Sequence, residues 1–202
     1  MTRDEVTELH YITHVDNVAS ILRHGILSHN RARKLDHRSV ALAVVQERRQ
    51  KQVPNARLLH DYVCLYFNAR NPMMFRIVRG DMAEPSALVV LRVAPAVLDL
   101  PNVVITDADA SSEYVAFHPS PDGLAVLDCA LVLARVWTSD DPFEYYRRKS
   151  AICAEVLVPD AVTSRWISGA YVSGNVTSER LRPVAGEFAA LDITVNPDIF
   201  FL

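Results

Sequence analysis

The sequence predicts an α+β fold built mainly on antiparallel sheet, and three observations carry that reading. Segments with strand and helix character do not alternate regularly along the chain, which argues against a doubly wound parallel sheet. The strongest strand signals are short apolar runs, Ser86–Val93 (SALVVLRV) and Ile152–Val158 (ICAEVLV). Half of the 202 residues are hydrophobic and 22% are charged, a balance that specifies a packed core. Repeats, low-complexity stretches and obvious linkers are absent, so a single domain over residues 1–202 is expected.

In chain order, LHYITH (Leu9 to His14) reads as a short strand. Asp16 can cap a helix through VASILRH, with Val15, Val18, Ile21 and Leu22 on its apolar side and Gly25 closing it. A second helix is expected from Val40 to about Gln50, ending before the turn around Pro54. Tyr62 to Phe67 reads as a strand, with a break at Asn71-Pro72. Strand character recurs in part of Ala125 to Leu133. Asp140 and Asp141 before Pro142 start a helix through FEYYRRK, and Pro159 stops the strand that follows. Beyond Asp160 a short helix (Ala161 to Ser168), a strand around Tyr171 and a helix near Thr177 to Leu181 are expected.

Composition excludes several function classes. No apolar run approaches the roughly 20 residues of a membrane-spanning helix, and the charged Met1–Glu5 leads into no apolar signal region. Cys64, Cys129 and Cys153 are odd in number and lack CxxC spacing, which argues against a disulfide framework and fits a reducing cytoplasm. The net charge of −3 lacks the basic excess of a typical nucleic-acid binder. Yet Arg31, Arg33, Lys34, Arg38, Arg48, Arg49, Lys51 and Arg57 face only Asp36 and Glu47 in their segment, and Arg147-Arg148-Lys149 forms a second cluster. A local basic face and ordinary solvated helix faces both account for these runs.

The motifs that cradle phosphates with glycine, GxGxxG and GxxxxGK[ST], are missing, as is a GxSxG elbow. A nucleotide bound here would be held by side chains. Glu155 is the only polar residue in ICAEVLV, so it either faces solvent in an alternating strand or lines a cleft. Taken alone, the segment favours the first. His10 and His14 lack partners at ligand spacing, and no metal is expected. Thr13, His14 and Asn17 form a compact polar group that suits either helix capping or holding an amide or ribose. Arg48 and Arg49 follow an apolar helical face and point about 100° apart, so at most one aims at a given site.

Four stretches in order resemble the DarT DNA ADP-ribosyltransferases, the toxin halves of bacterial toxin–antitoxin pairs. They are YITHVDNVASILRHGIL (Tyr11 to Leu27), VVQERRQKQVP (Val44 to Pro54), HDYVCLYFNARNPMMF (His60 to Phe75) and AEVLVP (Ala154 to Pro159). They are similar to the family's "ITHxxN" strand–helix, its paired-arginine helix, its "VPFYF…RSPM" stretch and the strand of its catalytic glutamate. The resemblance implies an ADP-ribosyltransferase-like fold, with central, mainly antiparallel sheets flanked by helices. It implies Glu155 as the catalytic carboxylate and one of Arg48 and Arg49 as the essential arginine, without choosing between them. Tyr11, Thr13, His14 and Asn17 would contact NAD around its nicotinamide and ribose, and Tyr66 and Met73 would wall its pocket. Phe143 to Cys153 takes the place of the loop that selects the target base. There Arg147, Arg148 and Lys149 would track phosphates and Tyr145 or Tyr146 would stack.

The family's frequent histidine before "ITH" is Tyr11 here, with His10 beside it, and Cys64 replaces the proline of "VPFYF". Cys153 stands where protein-modifying transferases carry Gln or Glu, which favours a nucleobase as acceptor. The implied reaction consumes NAD as co-substrate, acts on single-stranded DNA in the cytoplasm, and is opposed by a macrodomain ADP-ribosylglycohydrolase antitoxin. Transfer to RNA or protein, and an inactive NAD-binding module, are the alternatives.

Overall fold

The computed structural model describes residues 1–54, 56–187 and 191–202. Its centre is a sheet whose strands are β1 (Leu9–His14), β3 (Tyr62–Tyr66), β4 (Leu88–Val93), β5 (Val104–Thr106), β6 (Phe117–Pro119), β7 (Glu155–Pro159), β9 (Ile167–Val172) and β10 (Asp192–Val195). The spatial order is β10-β9-β4-β1-β3-β7-β5-β6. Among the described pairings only β9–β10 is parallel. A two-stranded ribbon joins β2 (Ile26–Leu27) to β8 (Ala161–Val162). The helices are α1 (Val18–His24), α2 (His29–Ala32), α3 (Ala43–Arg48), α4 (Pro72–Arg79), α5 (Cys129–Val132), α6 (Pro142–Ala151) and α7 (Asn175–Glu187). The α+β expectation holds.

The eight strands are two half-sheets joined at one point. β1 is registered with β4 from Leu9 to His14, and β3 with β7 from Tyr62 to Tyr66. Between β1 and β3 the register holds only His10↔Tyr66. Beyond that pair the two strands diverge, and the gap becomes a cleft.

The two faces of the sheet have different fates. Leu9, Val63, Leu65, Val89, Leu91, Ile105, Val156 and Val158 belong to one continuous core that also takes in Val18 and Leu22 of α1 and Leu181 of α7. The opposite face is covered in two pieces. Met74 and Ile77 of α4, with Phe200, pack on Ile12, Leu88 and Val90. Val53, Leu59 and Ala110 pack on Tyr62 and Leu157. Each fully buried aliphatic side chain contributes roughly 1.5–3 kcal/mol, so both half-sheets are firmly seated.

Local chemistry accounts for the boundaries, including those that differ from expectation. Residues 15–17 form a 3-10 turn, and the side chain that caps it is His14, whose Nδ1 accepts the Asp16 amide N–H at 3.1 Å. The second helix shortens to six residues, Ala43–Arg48. Asn71-Pro72, expected as a break, opens α4: the Asn71 side chain accepts from the Met74 amide, and proline occupies the first turn, where its missing N–H costs nothing. The expected strand in Ala125 to Leu133 is a 3-10 turn followed by α5, capped by Asp128. Ile152 is the C-cap of α6, with its N–H on Arg148 O, so the strand begins only at Glu155. The helix expected over Ala161 to Ser168 is instead β8 and a 3-10 turn, and β9 starts at Ile167.

Gly25 ends α1 at φ 83°, and a Cβ there would lie 2.5 Å from the Val162 carbonyl oxygen of the neighbouring ribbon. Gly25→Ala is therefore expected to cost at least about 1–2 kcal/mol through backbone strain and the clash. Urea unfolding checks this, with Gly174→Ala, whose added Cβ meets nothing within 4 Å, as a control without a steric clash.

Candidate active site

The register that joins the half-sheets also aligns a polar row. Arg92, His10, Tyr66, Glu155 and Thr106 are successive cross-strand partners and project on the same face. Glu155 sits where β7 begins, and its backbone N–H donates to Thr106 Oγ1 at 3.1 Å. That hydroxyl in turn donates to Ala108 O at 2.7 Å, which fixes the start of the strand. The Glu155 side chain is completely buried. Its Oε1 accepts from Arg49 Nη2, and its Oε2 is buried without a hydrogen-bond partner.

Arg49 follows α3 and is itself buried, with three acceptors drawn from three parts of the chain. Besides Glu155 it donates to the Cys64 sulfur on β3 and, at 3.3 Å, to Asp109 Oδ1 in the loop after β5. Its guanidinium forms part of the wall of a cleft of about 870 Å³, large enough for a dinucleotide. Glu155 lies immediately behind it. The cleft takes Tyr11 and Thr13 of β1, Asn17 of the turn after it, and Cys64 and Tyr66 of β3, so it is the opening between the half-sheets.

Electrostatics sets this carboxylate apart. Burial pushes the Glu155 carboxyl up to about 7, the Arg49 guanidinium works against that, and the like charge of Asp109 adds to the rise. Burial disfavours the charge on Arg49 as well, but Cys64, Glu155 and Asp109 around it hold its proton more tightly than usual. The Cys64 thiol is pushed up to about 12 by burial, so at neutral pH it is a neutral contact. Among the described residues no group of three His, Cys, Asp or Glu side chains is placed to hold a metal.

Comparison with known proteins bears on this geometry. The model of the family described as "ssDNA thymidine ADP-ribosyltransferase, DarT" matches residues 10–201. The chain belongs to the DarT family. A Thermosipho africanus DNA ADP-ribosyl transferase–DNA ADP-ribosyl glycohydrolase fusion protein is 30% identical over 96% of the chain. The chain spans 50% of that relative's length. The Thermus sp. 2.9 DarT structure in complex with ADP-ribosylated ssDNA superposes with a TM-score of 0.84 at 28% identity, covering 97% of each chain. The same Thermus protein in complex with NAD+ gives 0.80 at 26% identity, covering 97% of this chain and 98% of that one. The DarT fold is thus present from end to end of the match.

Against that DarT frame the sequence-predicted residues separate. Of the adjacent arginines, Arg49 is buried against Glu155, and Arg48 is exposed at the cleft wall. Asn17 Nδ2 donates to Thr13 Oγ1 (3.1 Å) and to Arg38 O (2.8 Å), while its Oδ1 accepts the Arg38 amide (2.9 Å). It thereby pins the segment from His37 to Leu42 over the cleft. Tyr66 and Met73 wall the cleft together, the Tyr66 hydroxyl donating to Met73 Sδ at 2.8 Å. His14 is not among the lining residues and serves as the cap described above.

The segment expected as a target-selecting loop is the helix α6, and helical phase decides which of its residues reach the cleft. Tyr146, Lys149, Ser150 and Cys153 do so, spaced i, i+3, i+4 and i+7. Arg147 pairs with Glu144 at 3.2 Å and Asp128 at 3.6 Å, and Arg148 with Glu144 at 3.5 Å. Tyr145 is half-buried, with Lys149 Nζ 5.4 Å from its ring centre. Of the basic run only Lys149 lines the cleft.

Sequence reading missed Asp109, Thr106 and the stacked pair His29–His60, whose ring centres are 4.3 Å apart. The one available signal was the polar run Asp107-Ala-Asp109-Ala-Ser111-Ser112 after a short apolar strand.

The raised Glu155 carboxyl has a consequence for stability. Relative to a free glutamate it favours the neutral form, a contribution present in full below about pH 4.5 and lost as pH rises through about 7. Replacing it by Gln removes this titration. The stability difference between Glu155→Gln and the parent is expected to move in favour of Gln by on the order of 2 kcal/mol between pH 4.5 and 8. Urea midpoints at the two pH values measure it, and a constant difference would contradict the assignment.

Proposed function

We propose that this chain transfers ADP-ribose from NAD to thymidine in single-stranded DNA. The observation that carries the reading is the fully buried Glu155 carboxylate, held by Arg49, which itself lines a dinucleotide-sized cleft in a chain of the DarT family. Cleavage of the nicotinamide–ribose bond builds positive charge on the ribose, as in glycoside hydrolysis. A preorganised carboxylate beside that sugar stabilises the charge, here through the ribose hydroxyl next to the reacting carbon. Nicotinamide leaves with the bonding electron pair. The thymine ring has one N–H once its other ring nitrogen carries the deoxyribose, so that nitrogen is the attacking atom and Glu155 the acceptor of its proton.

In this reading Arg49 lies beside the reacting ribose and the diphosphate, while Tyr11, Thr13, Asn17, Tyr66 and Met73 wall the NAD end of the cleft. With few glycines in the chain, cationic side chains at the cleft (Arg38, Arg48, Arg76 and Lys149) would hold the phosphates of NAD and DNA. Tyr146, 68% exposed beside Lys149, offers a stacking surface for a base, a role it takes over from Tyr145 because it lies on the cleft side of α6. A base inside a duplex cannot reach such a centre, which accords with a single-stranded substrate.

The same reading assigns the chain as one transferase unit over residues 1–202, supported by a family match from residue 10 to 201. It makes the protein the toxin of a bacterial toxin–antitoxin pair. The partner would be a macrodomain ADP-ribosylglycohydrolase antitoxin, in line with the fused glycohydrolase of the Thermosipho relative. Its place of action would be the cytoplasm, where NAD and single-stranded DNA are both available. No helix among the described residues is long and apolar enough to cross a membrane.

The test is incubation with labelled NAD and thymidine-containing single-stranded DNA. Label is expected on DNA with the parent chain. Transfer should fall at least about 10²-fold in Glu155→Ala and in Arg49→Ala, as on removal of a preorganised charge-stabilising group, and less than about tenfold in Arg48→Ala. Label on RNA or protein instead, or no consumption of NAD, would overturn the proposal.

A further inference from the structure

Arg49 is shared between two carboxylates, and they are not equivalent. Glu155 approaches it from the buried side, whereas Asp109 lines the cleft and keeps 37% of its side-chain surface open. Asp109 is also held in place. Its Oδ1 accepts the Ser111 amide at 2.7 Å, Asp107 Oδ1 accepts the Ala116 amide at 2.9 Å, and Lys51 Nζ donates to Ser112 O at 2.7 Å. The loop after β5 is therefore tied at both of its ends and to the segment that carries Arg49.

If Oε1 of Glu155 is to accept a hydrogen bond from a ribose hydroxyl, Arg49 must lose or share its strongest acceptor. A buried guanidinium left without an anionic partner is costly and would leave its position. Cys64 is a neutral thiol and a weak acceptor. Asp109 is the other carboxylate in contact with Arg49. We infer that Asp109 is a positioning residue for the transfer reaction, holding Arg49 at the cleft floor while Glu155 engages substrate. The inference rests on the transferase reading and adds to it a residue that acts through Arg49 and touches no reacting atom.

A purely structural acid on a loop would leave the acid–base behaviour of Glu155 alone, and this separates the two roles. The groups facing Glu155 are Arg49 and Lys51 from the segment after α3, Cys64 and Tyr66 from β3, Cys153 from the turn before β7, and Asp109 from the loop after β5. Arg49 and Lys51 are cations, and burial pushes the other three upward, so among these groups Asp109 is the acid opposite Glu155. Removing its charge makes Glu155 ionise at lower pH.

The experiment compares the full chain with Asp109→Asn, nearly equal in shape, and Asp109→Glu, which restores the charge. Carbon-13 carboxyl NMR follows Glu155 in the free protein, its signal assigned by its loss in Glu155→Gln. Initial rates of label transfer to single-stranded DNA are read from pH 5 to 9. In Asp109→Asn the Glu155 midpoint and the acid limb of the rate profile should both move acidward by about half to one unit. The plateau kcat should fall about 10- to 100-fold with KM for NAD within about threefold, and Asp109→Glu should recover part of the loss. An unmoved midpoint, or an unchanged plateau kcat in a folded Asp109→Asn protein, overturns the positioning role. A midpoint that moves in Asp109→Asn while the parent chain transfers nothing to DNA overturns the transferase reading instead.

Discussion

A carboxyl with no solvent contact keeps its charge at neutral pH only with help from a nearby cation, and the rest of the site is arranged around Arg49 beside Glu155. Taking an ion pair out of water is expensive, and the mutual attraction repays the cost only where hydrogen bonds are well made. Here Arg49 supplies the cation, and Cys64 and Asp109 satisfy further guanidinium N–H groups. Thr106 fixes the backbone beneath the carboxylate. The Ala110 backbone amide also favours the charged carboxylate.

The second constraint is the way the sheet parts. A continuous eight-stranded sheet would bury the polar row from His10 to Thr106 under covering elements. Because β1 and β3 share only the His10↔Tyr66 pair, Tyr66 of that row lines an opening. The cover of that face comes in two pieces for the same reason, α4 with the C-terminal turn on one half and the loop around Val53–Leu59 on the other. The cleft opens where that pairing ends, with Arg49 in its wall and Glu155 behind it. α6 closes the side of the cleft with a single helical stripe and turns Arg147 and Arg148 toward Glu144.

Much of this was legible in the residues. The strand–helix corner from Leu9 to Gly25, the start of the helix at Pro142 and the strands around Tyr62, Leu88 and Glu155 all carry local signals that the structure honours. Local signals failed where their rule was ambiguous. Asn71-Pro72 punctuates a chain equally well as a break or as a helix start, and only the apolar face of α4 packing under Phe200 decides for the helix. The apolar stretch from Ala125 to Leu133 folds instead as the end of a 3-10 turn and the short helix α5, whose start Asp128 caps.

For the site, the sequence by itself determined which chemical groups are available: one carboxylate in an apolar strand, two adjacent arginines, a polar strand–helix corner and a basic segment before the carboxylate. It also determined, through four ordered stretches, the family to which they belong. Tertiary structure alone carried the Arg49 guanidinium into the interior against Glu155 and left Arg48 exposed at the cleft. It alone brought Asp109 to Arg49 across 60 residues of sequence, and it removed His14 and two of the three basic residues of α6 from the cleft. The physical reason is common to all these cases. Side-chain chemistry is local to the residue, whereas burial, pairing and the direction in which a side chain points depend on contacts between segments distant along the chain.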